Sequence, residues 1–176
     1  MIQYRALYTD ELCRELFRHF NRHQVVKKCW RRDHGEWVIK DAPFIDDWSE
    51  ADYQTLISCL KHTIQAGGVV CAAFADDLLK GFVSVEADFF GEERQYLDLT
   101  SIHVSEDMRG AGIGRTLFQM AKEWAKGKGA KKLYISAHSA VESQAFYQAL
   151  GCVEAKEYRQ QHVDAEPFDC QLECEL

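Results

Sequence analysis

The chain has 176 residues, 47% of them hydrophobic and 28% charged, enough apolar material for one globular domain and too much for a disordered chain. Its formal net charge of −7 argues against partners held through a basic surface, nucleic acid and anionic membrane alike. No apolar run approaches the roughly 18 residues of a membrane-spanning helix.

No charged and then apolar leader opens the sequence at Met1–Arg5, so a cytoplasmic location is expected. Cys13, Cys29, Cys59, Cys71, Cys152, Cys170 and Cys174 form no CxxC pair and no zinc spacing, and they read as reduced, mostly buried thiols with no metal.

Hydrophobic period and turn residues predict the elements in chain order. Ile2–Leu7 reads as a short strand. A helix is expected after Thr9, with Asp10 and Glu11 in its first turn and Leu12, Leu16 and Phe20 along one face. Residues 28–48 are aromatic, charged and turn-rich, and read as a long loop. Ser49 opens the next helix, with Asp52 placed to complete a capping box; Tyr53, Leu56, Ile57, Leu60 and Ile64 follow at helical spacing, and Gly67-Gly68 ends it. The period then becomes that of strands: Val69–Phe74, a turn at Asp76-Asp77, Leu79–Ala87, a turn around Gly91, and a long strand Gln95–Val104.

A glycine-rich turn leads into a helix from about Ile113 to Lys126, followed by a short strand Lys132–Ala137. Ser139 and Glu142 suggest a second capping box for a helix that runs to Leu150. Cys152–Tyr158 and Phe168–Leu176 close the chain as strands, the last alternating strictly between apolar and polar residues. The resulting order, β-α-α-β-β-β-α-β-α-β-β, predicts a single α/β domain over residues 1–176, a mixed sheet flanked by helices.

The informative segment is Arg109-Gly110-Ala111-Gly112-Ile113-Gly114-Arg115. It joins a strand to a helix N-terminus, where unsatisfied amides carry partial positive charge. Its glycines let backbone N–H groups converge on an anion, and Arg109 and Arg115 bracket the turn with guanidinium groups suited to phosphate oxygens. A P-loop would require Gly-Lys-Ser/Thr where Gly114-Arg115-Thr116 stands, and a dinucleotide fingerprint would require glycine at Arg115.

Arg109–Gly114 resembles the R/Q-x-x-G-x-G/A signature of the GNAT superfamily of acyl-CoA N-acyltransferases. The downstream stretch Ser143-Gln144-Ala145-Phe146-Tyr147-Gln148-Ala149-Leu150-Gly151-Cys152 is similar to that family's FY-x-x-x-G-F segment, and the order of elements fits from Ile2 to Leu176. The resemblance implies a central, mixed but mostly antiparallel sheet of about seven strands, in which two parallel neighbours, here Gln95–Val104 and Lys132–Ala137, splay apart.

It also implies acetyl-CoA as acyl donor. Arg109, Gly110, Ala111, Gly112, Ile113, Gly114 and Arg115 would hold its pyrophosphate, and the backbone of Ile102, His103 and Val104 its pantetheine arm. Backbone N–H groups there would polarise the thioester carbonyl. Tyr147 would adjoin the cofactor and protonate the leaving thiolate. Glu86 matches where some relatives carry the base, with Asp98, His103 and His138 as alternatives. Ala140 and Ser143 depart from the asparagine and alanine usual in the second motif, leaving Ser143 to offer a hydrogen bond to the cofactor.

The first half of the chain is left for the acceptor. Trp30, Trp37, Phe44, Asp46, Asp47, Trp48, Glu50 and Asp52 suit a small cationic amine, by cation–π contact and ion pairing. The expected activity is direct acetyl transfer to such an amine in a ternary complex. Acetylation of a protein N-terminus or lysine is a second reading, and a non-catalytic CoA-binding module a third. The edge of the last strand offers a surface on which a second copy would pair to form a homodimer.

Overall fold

The computed structural model describes residues 1–176. Along the chain run β1 (Ile2–Ala6), two 3₁₀ turns (Thr9–Glu11 and Arg14–Phe17), β2 (His23–Asp33), β3 (Glu36–Asp47), α1 (Glu50–Gln65), β4 (Val69–Ala75), β5 (Leu78–Val85) and β6 (Tyr96–Val104). After a 3₁₀ turn at Glu106–Met108 come α2 (Ile113–Gly127), β7 (Lys132–Ala137), α3 (Val141–Ala149), β8 (Val153–Glu154), α4 (Gln160–Ala165) and β9 (Cys170–Glu175). No helix is long and apolar enough to cross a membrane.

Seven strands form the main sheet in the order β1-β4-β5-β6-β7-β9-β8, and β2 and β3 form a separate two-stranded sheet. Every neighbouring pair is antiparallel except β6 and β7. The central strands alternate between two apolar faces. Val83, Val85, Leu97, Leu99, Leu133 and Ile135 meet Ile113, Leu117, Phe118, Ala121 and Ala125 of α2. On the other face, Val70, Ala72, Phe74 and Phe82 meet Tyr53, Ile57 and Leu60 of α1 together with Leu12, Phe17 and Phe20. Each large side chain buried this way contributes about 1.5–3 kcal/mol. Gly81 lets α2 lie close to β5: a Cβ there would stand 2.8 Å from Ile113 Cγ2.

Much of the expected pattern holds. Ser49 and Asp52 form the capping box of α1, with Asp52 N–H donating to Ser49 Oγ and Ser49 N–H to Asp52 Oδ2. Asp76 and Asp77 take left-handed backbone, at φ 50° and 61°, in the two-residue turn between β4 and β5.

Four expectations are corrected. The helix after Thr9 is two 3₁₀ turns broken at Leu12, because Glu11 turns back to accept from the Tyr8 N–H and from Arg5. Residues 28–48 are no loop but most of the β2–β3 hairpin, whose two-residue turn is His34-Gly35, at φ 49° and 82°. Opposite Lys27, β3 carries an extra residue at Ala42-Pro43, and this bulge shifts the alternation in mid-strand, which hides the strand period. The capping box at Ser139 is absent: Ala140 occupies the N-cap of α3 while Ser139 Oγ accepts from Arg31. The last strand is not an edge either, since β9 lies between β7 and the two-residue β8.

Candidate active site between the parted strands

Strands β6 and β7 pair only over Tyr96↔Lys132, Leu97↔Leu133 and Asp98↔Tyr134. On its other side β6 carries an extra residue: the register with β5 runs Ser84↔Ser101 and then Val85↔Leu99, so Thr100 is bulged. A bulge bends its strand, and beyond this one β6 leaves β7. A cleft of about 1020 Å³ opens in the gap, walled by Leu99–Val104 on one side and by Ile135, Ser136 and His138 on the other.

The glycine loop closes one end of the cleft. Gly110 and Gly112 have φ of 80° and 82°, a left-handed backbone that glycine adopts without strain, and Gly112 is the N-cap of α2. None of the backbone N–H groups from Gly110 to Arg115 meets a protein acceptor. Gly114 lies under Phe146, where a Cβ would stand 3.0 Å from the ring. Arg109 donates through Nε to the Val104 carbonyl at 3.3 Å, and Arg115 is exposed at the cleft wall. A row of free amides at a helix N-terminus beside two guanidinium groups fits a pyrophosphate.

Most of the expected site residues come together here. Ile102, His103, Val104, Arg109, Gly110, Gly112, Ile113, Gly114, Arg115, Ser143 and Tyr147 all line the cleft. Ala111 is exposed and does not. Tyr147 is buried on α3; burial pushes its phenol well above the ordinary value, with smaller contributions from Cys152 and Asp169, so it stays protonated at neutral pH. His103 faces the cleft beneath Trp48 and Phe82. Its burial, with Arg22 and Arg109 nearby, holds it neutral with a pKa of about 3.

Glu86 is not among the lining residues. Thr63 Oγ1 donates to its Oε1, and Thr100 lies between it and the cleft, 3.5 Å away. Asp98 is also withdrawn, buried and paired with Arg159 at 3.0 Å and His162 at 2.6 Å.

The β2–β3 hairpin walls the opposite end. Cys29 bridges to Ala140, Trp30 N–H donates to the Ser139 carbonyl, and Phe44 stacks at a tilt on His138, 5.3 Å between centroids. At the hairpin's foot Asn21 N–H donates to Ser105 Oγ on the far side of the gap, so the hairpin spans both strands.

The acetyltransferase (GNAT) family model matches residues 33–152, more than half of the chain. The chain belongs to the GNAT acetyltransferase family. The GNAT fold is matched in full by solved structures. Nourseothricin acetyltransferase has a TM-score of 0.68 at 18% identity, over 98% of this chain and 95% of the other. A Bacillus anthracis str. Ames protein assigned as a streptothricin acetyltransferase, solved with acetyl coenzyme A, gives 0.73 at 16% identity, over the whole of both chains. The PaiA N-acetyltransferase of Thermoplasma acidophilum, solved with coenzyme A, gives 0.62 at 17% identity, over 100% and 99%. No curated protein matches this GNAT chain in sequence.

Sequence reasoning missed several residues of this acetyltransferase's cleft, among them Arg22, Ser136 and Asp169. None of them sits in a motif. The acidic residues expected to bind an amine are mostly engaged elsewhere: Asp47 pairs with His23, Glu50 with Arg14, and Asp52 caps α1. Asp46 does reach the cleft, but there it pairs with Arg22 at 2.6 Å.

Proposed function

We propose that this protein transfers the acetyl group of acetyl-CoA to a primary amine of a small cationic molecule. The observation that carries the reading is the row of unpartnered amides from Gly110 to Arg115 at the foot of parted parallel strands. Bound there, acetyl-CoA supplies an activated thioester. Arg109, Arg115 and the loop amides hold its pyrophosphate, and Ser143 offers a hydrogen bond beside it. The unpaired side of β6 between Leu99 and Val104 has backbone groups free to align the pantetheine arm and to polarise the carbonyl. Tyr147, protonated and on the opposite wall, donates its hydrogen to the departing sulfur.

Two features support a small cationic acceptor. The hairpin spans the gap and limits access by a folded protein, and Asp46, Glu142, Glu166 and Asp169 make the wall on this side rich in carboxylates. The structural neighbours agree with this choice, since nourseothricin and streptothricin acetyltransferases are among them.

Calorimetric titration with acetyl-CoA, on the wild type and on an Arg109→Ala/Gly112→Glu variant, tests the donor site. Binding lost in the variant supports it, and no binding by folded wild type removes it. A panel of amines followed by thiol release then tests the activity. Donor binding with no acetylation of any amine would point to a non-catalytic module.

A further inference from the structure

Resting on the N-acetyltransferase reading, we propose that Asp169 is the base that takes the proton from the acceptor's ammonium group. Asp169 precedes β9 and is half-buried in the cleft wall. Ser136 Oγ, on β7, donates to its Oδ2 at 3.0 Å, and its Oδ1 has no protein partner. Ser136 in turn accepts from Gln171 Nε2 at 3.1 Å, Gln171 Oε1 accepts from the Tyr134 hydroxyl, and Tyr134 accepts from the Arg159 N–H. This chain of hydrogen bonds reaches from the buried sheet to one carboxylate oxygen and leaves the other to the cleft.

No other carboxylate of the cleft combines these properties. Asp46 is neutralised by Arg22, while Glu142 and Glu166 are exposed at the rim. Glu86 and Asp98 are bonded away from the cleft. Asp169 shares the cleft with Tyr147 and is close enough for its charge to act on that phenol. The Phe44–His138 pair on the same wall gives an aromatic surface for the amine's carbon chain.

The groups that act on the Asp169 charge are Glu166, His138 and His162, besides Ser136. Burial, aided by Glu166, raises the carboxyl above the ordinary range, and the Ser136 hydrogen bond and the two imidazoles oppose the rise without cancelling it. A carboxylate so placed is a stronger base than one in water.

The proton balance closes. Asp169 takes one proton from R-NH₃⁺, which frees the nitrogen lone pair. The C–N bond forms and the C–S bond breaks, and the sulfur takes the Tyr147 hydroxyl proton. The remaining surplus proton on nitrogen returns to the Tyr147 phenolate, and Asp169 releases its own to solvent.

The test combines carboxyl titration with kinetics on the full chain. Carbon-detected NMR of aspartate-labelled protein follows the resonance that disappears in Asp169→Asn, a substitution that keeps the Ser136 hydrogen bond. A titration midpoint above the ordinary aspartate value is expected, and an ordinary midpoint overturns the proposal whatever the acceptor. Thiol release is then measured with streptothricin, spermidine and a lysine peptide as probe amines.

With an active wild type, Asp169→Asn is expected to lose at least about 10²-fold in kcat/KM and to lose the acid limb of the pH profile, while acetyl-CoA affinity and melting temperature stay put. An unchanged pH limb in that variant overturns the assignment and leaves the activity standing. An inactive wild type that binds acetyl-CoA overturns the activity itself and the role of Asp169 with it.

Discussion

His103 stands edge-on to Trp48, with ring centroids 4.8 Å apart and planes at 80°. Phe82 packs on the same imidazole at 5.5 Å, and Arg22 and Arg109 add positive charge nearby. The ring is thus neutral in the fold down to a pH of about 3, whereas the unfolded chain takes up a proton near 6.5. Between these values the unfolded state binds more protons. The stability that neutral His103 allows is therefore full above pH 6.5 and is lost as the pH falls toward 3, by up to about 1.4 kcal/mol per unit. His103→Gln should flatten the acid side of the stability curve. Urea unfolding of both proteins between pH 7 and 4 checks this, and parallel curves would refute it.

The glycines of the anion loop should differ in what they tolerate. Gly112 has open space around it but a left-handed backbone, so Gly112→Ala is expected to lose about 1–2 kcal/mol through backbone strain alone. Gly114 is free of that strain, and Gly114→Ala instead presses on the Phe146 ring. Both should weaken acetyl-CoA binding, but only the first should do so while leaving the Phe146 side-chain signals in NMR spectra in place.

The ion pair of Arg22 with Asp46 is largely enclosed, with the arginine side chain 8% and the aspartate 29% exposed. Arg22 Nε already lacks a partner. Asp46→Ala would leave the guanidinium half-satisfied beside Trp48 and should destabilise the protein by about 2–3 kcal/mol. Thermal unfolding checks it; an unchanged midpoint would mean that Arg22 reaches water once its partner is gone.

Tyr147→Phe keeps the ring packed and removes the hydroxyl. Turnover is expected to fall about 10²-fold with acetyl-CoA affinity unchanged. Single-turnover thiol release separates the two quantities, and equal loss of both would make Tyr147 a binding residue rather than a proton donor.

The donor side of the site was legible in the sequence because its information is local. Three alternate glycines between a strand and a helix already state that the backbone must come close to an anion, and the turn sits where Arg109–Arg115 predicts. The acceptor side is assembled from distant segments. In the proposed mechanism Asp169 meets Ser136 because β9 lies beside β7, and Ser136 reaches the cleft because β7 parts from β6. The bulge at Thr100 that causes the parting has no sequence mark of its own, since any residue can be the extra one. Residues 28–48 differ for another reason: the bulge at Ala42-Pro43 breaks strict alternation, although His34-Gly35 between runs of β-branched and aromatic residues is an available hairpin signal.

The β2–β3 hairpin contributes Gln24, Val25, Phe44 and Asp46 to the cleft yet is no part of the seven-stranded sheet. Outside the segments held to Ala140, Ser139 and Ser105, its length and side chains are therefore set apart from the hydrogen bonding of the sheet that carries the glycine loop. On the proposed reading the molecule separates a chemical engine from an exchangeable gauge: changes confined to the hairpin would alter the amines accepted and leave the reaction in place.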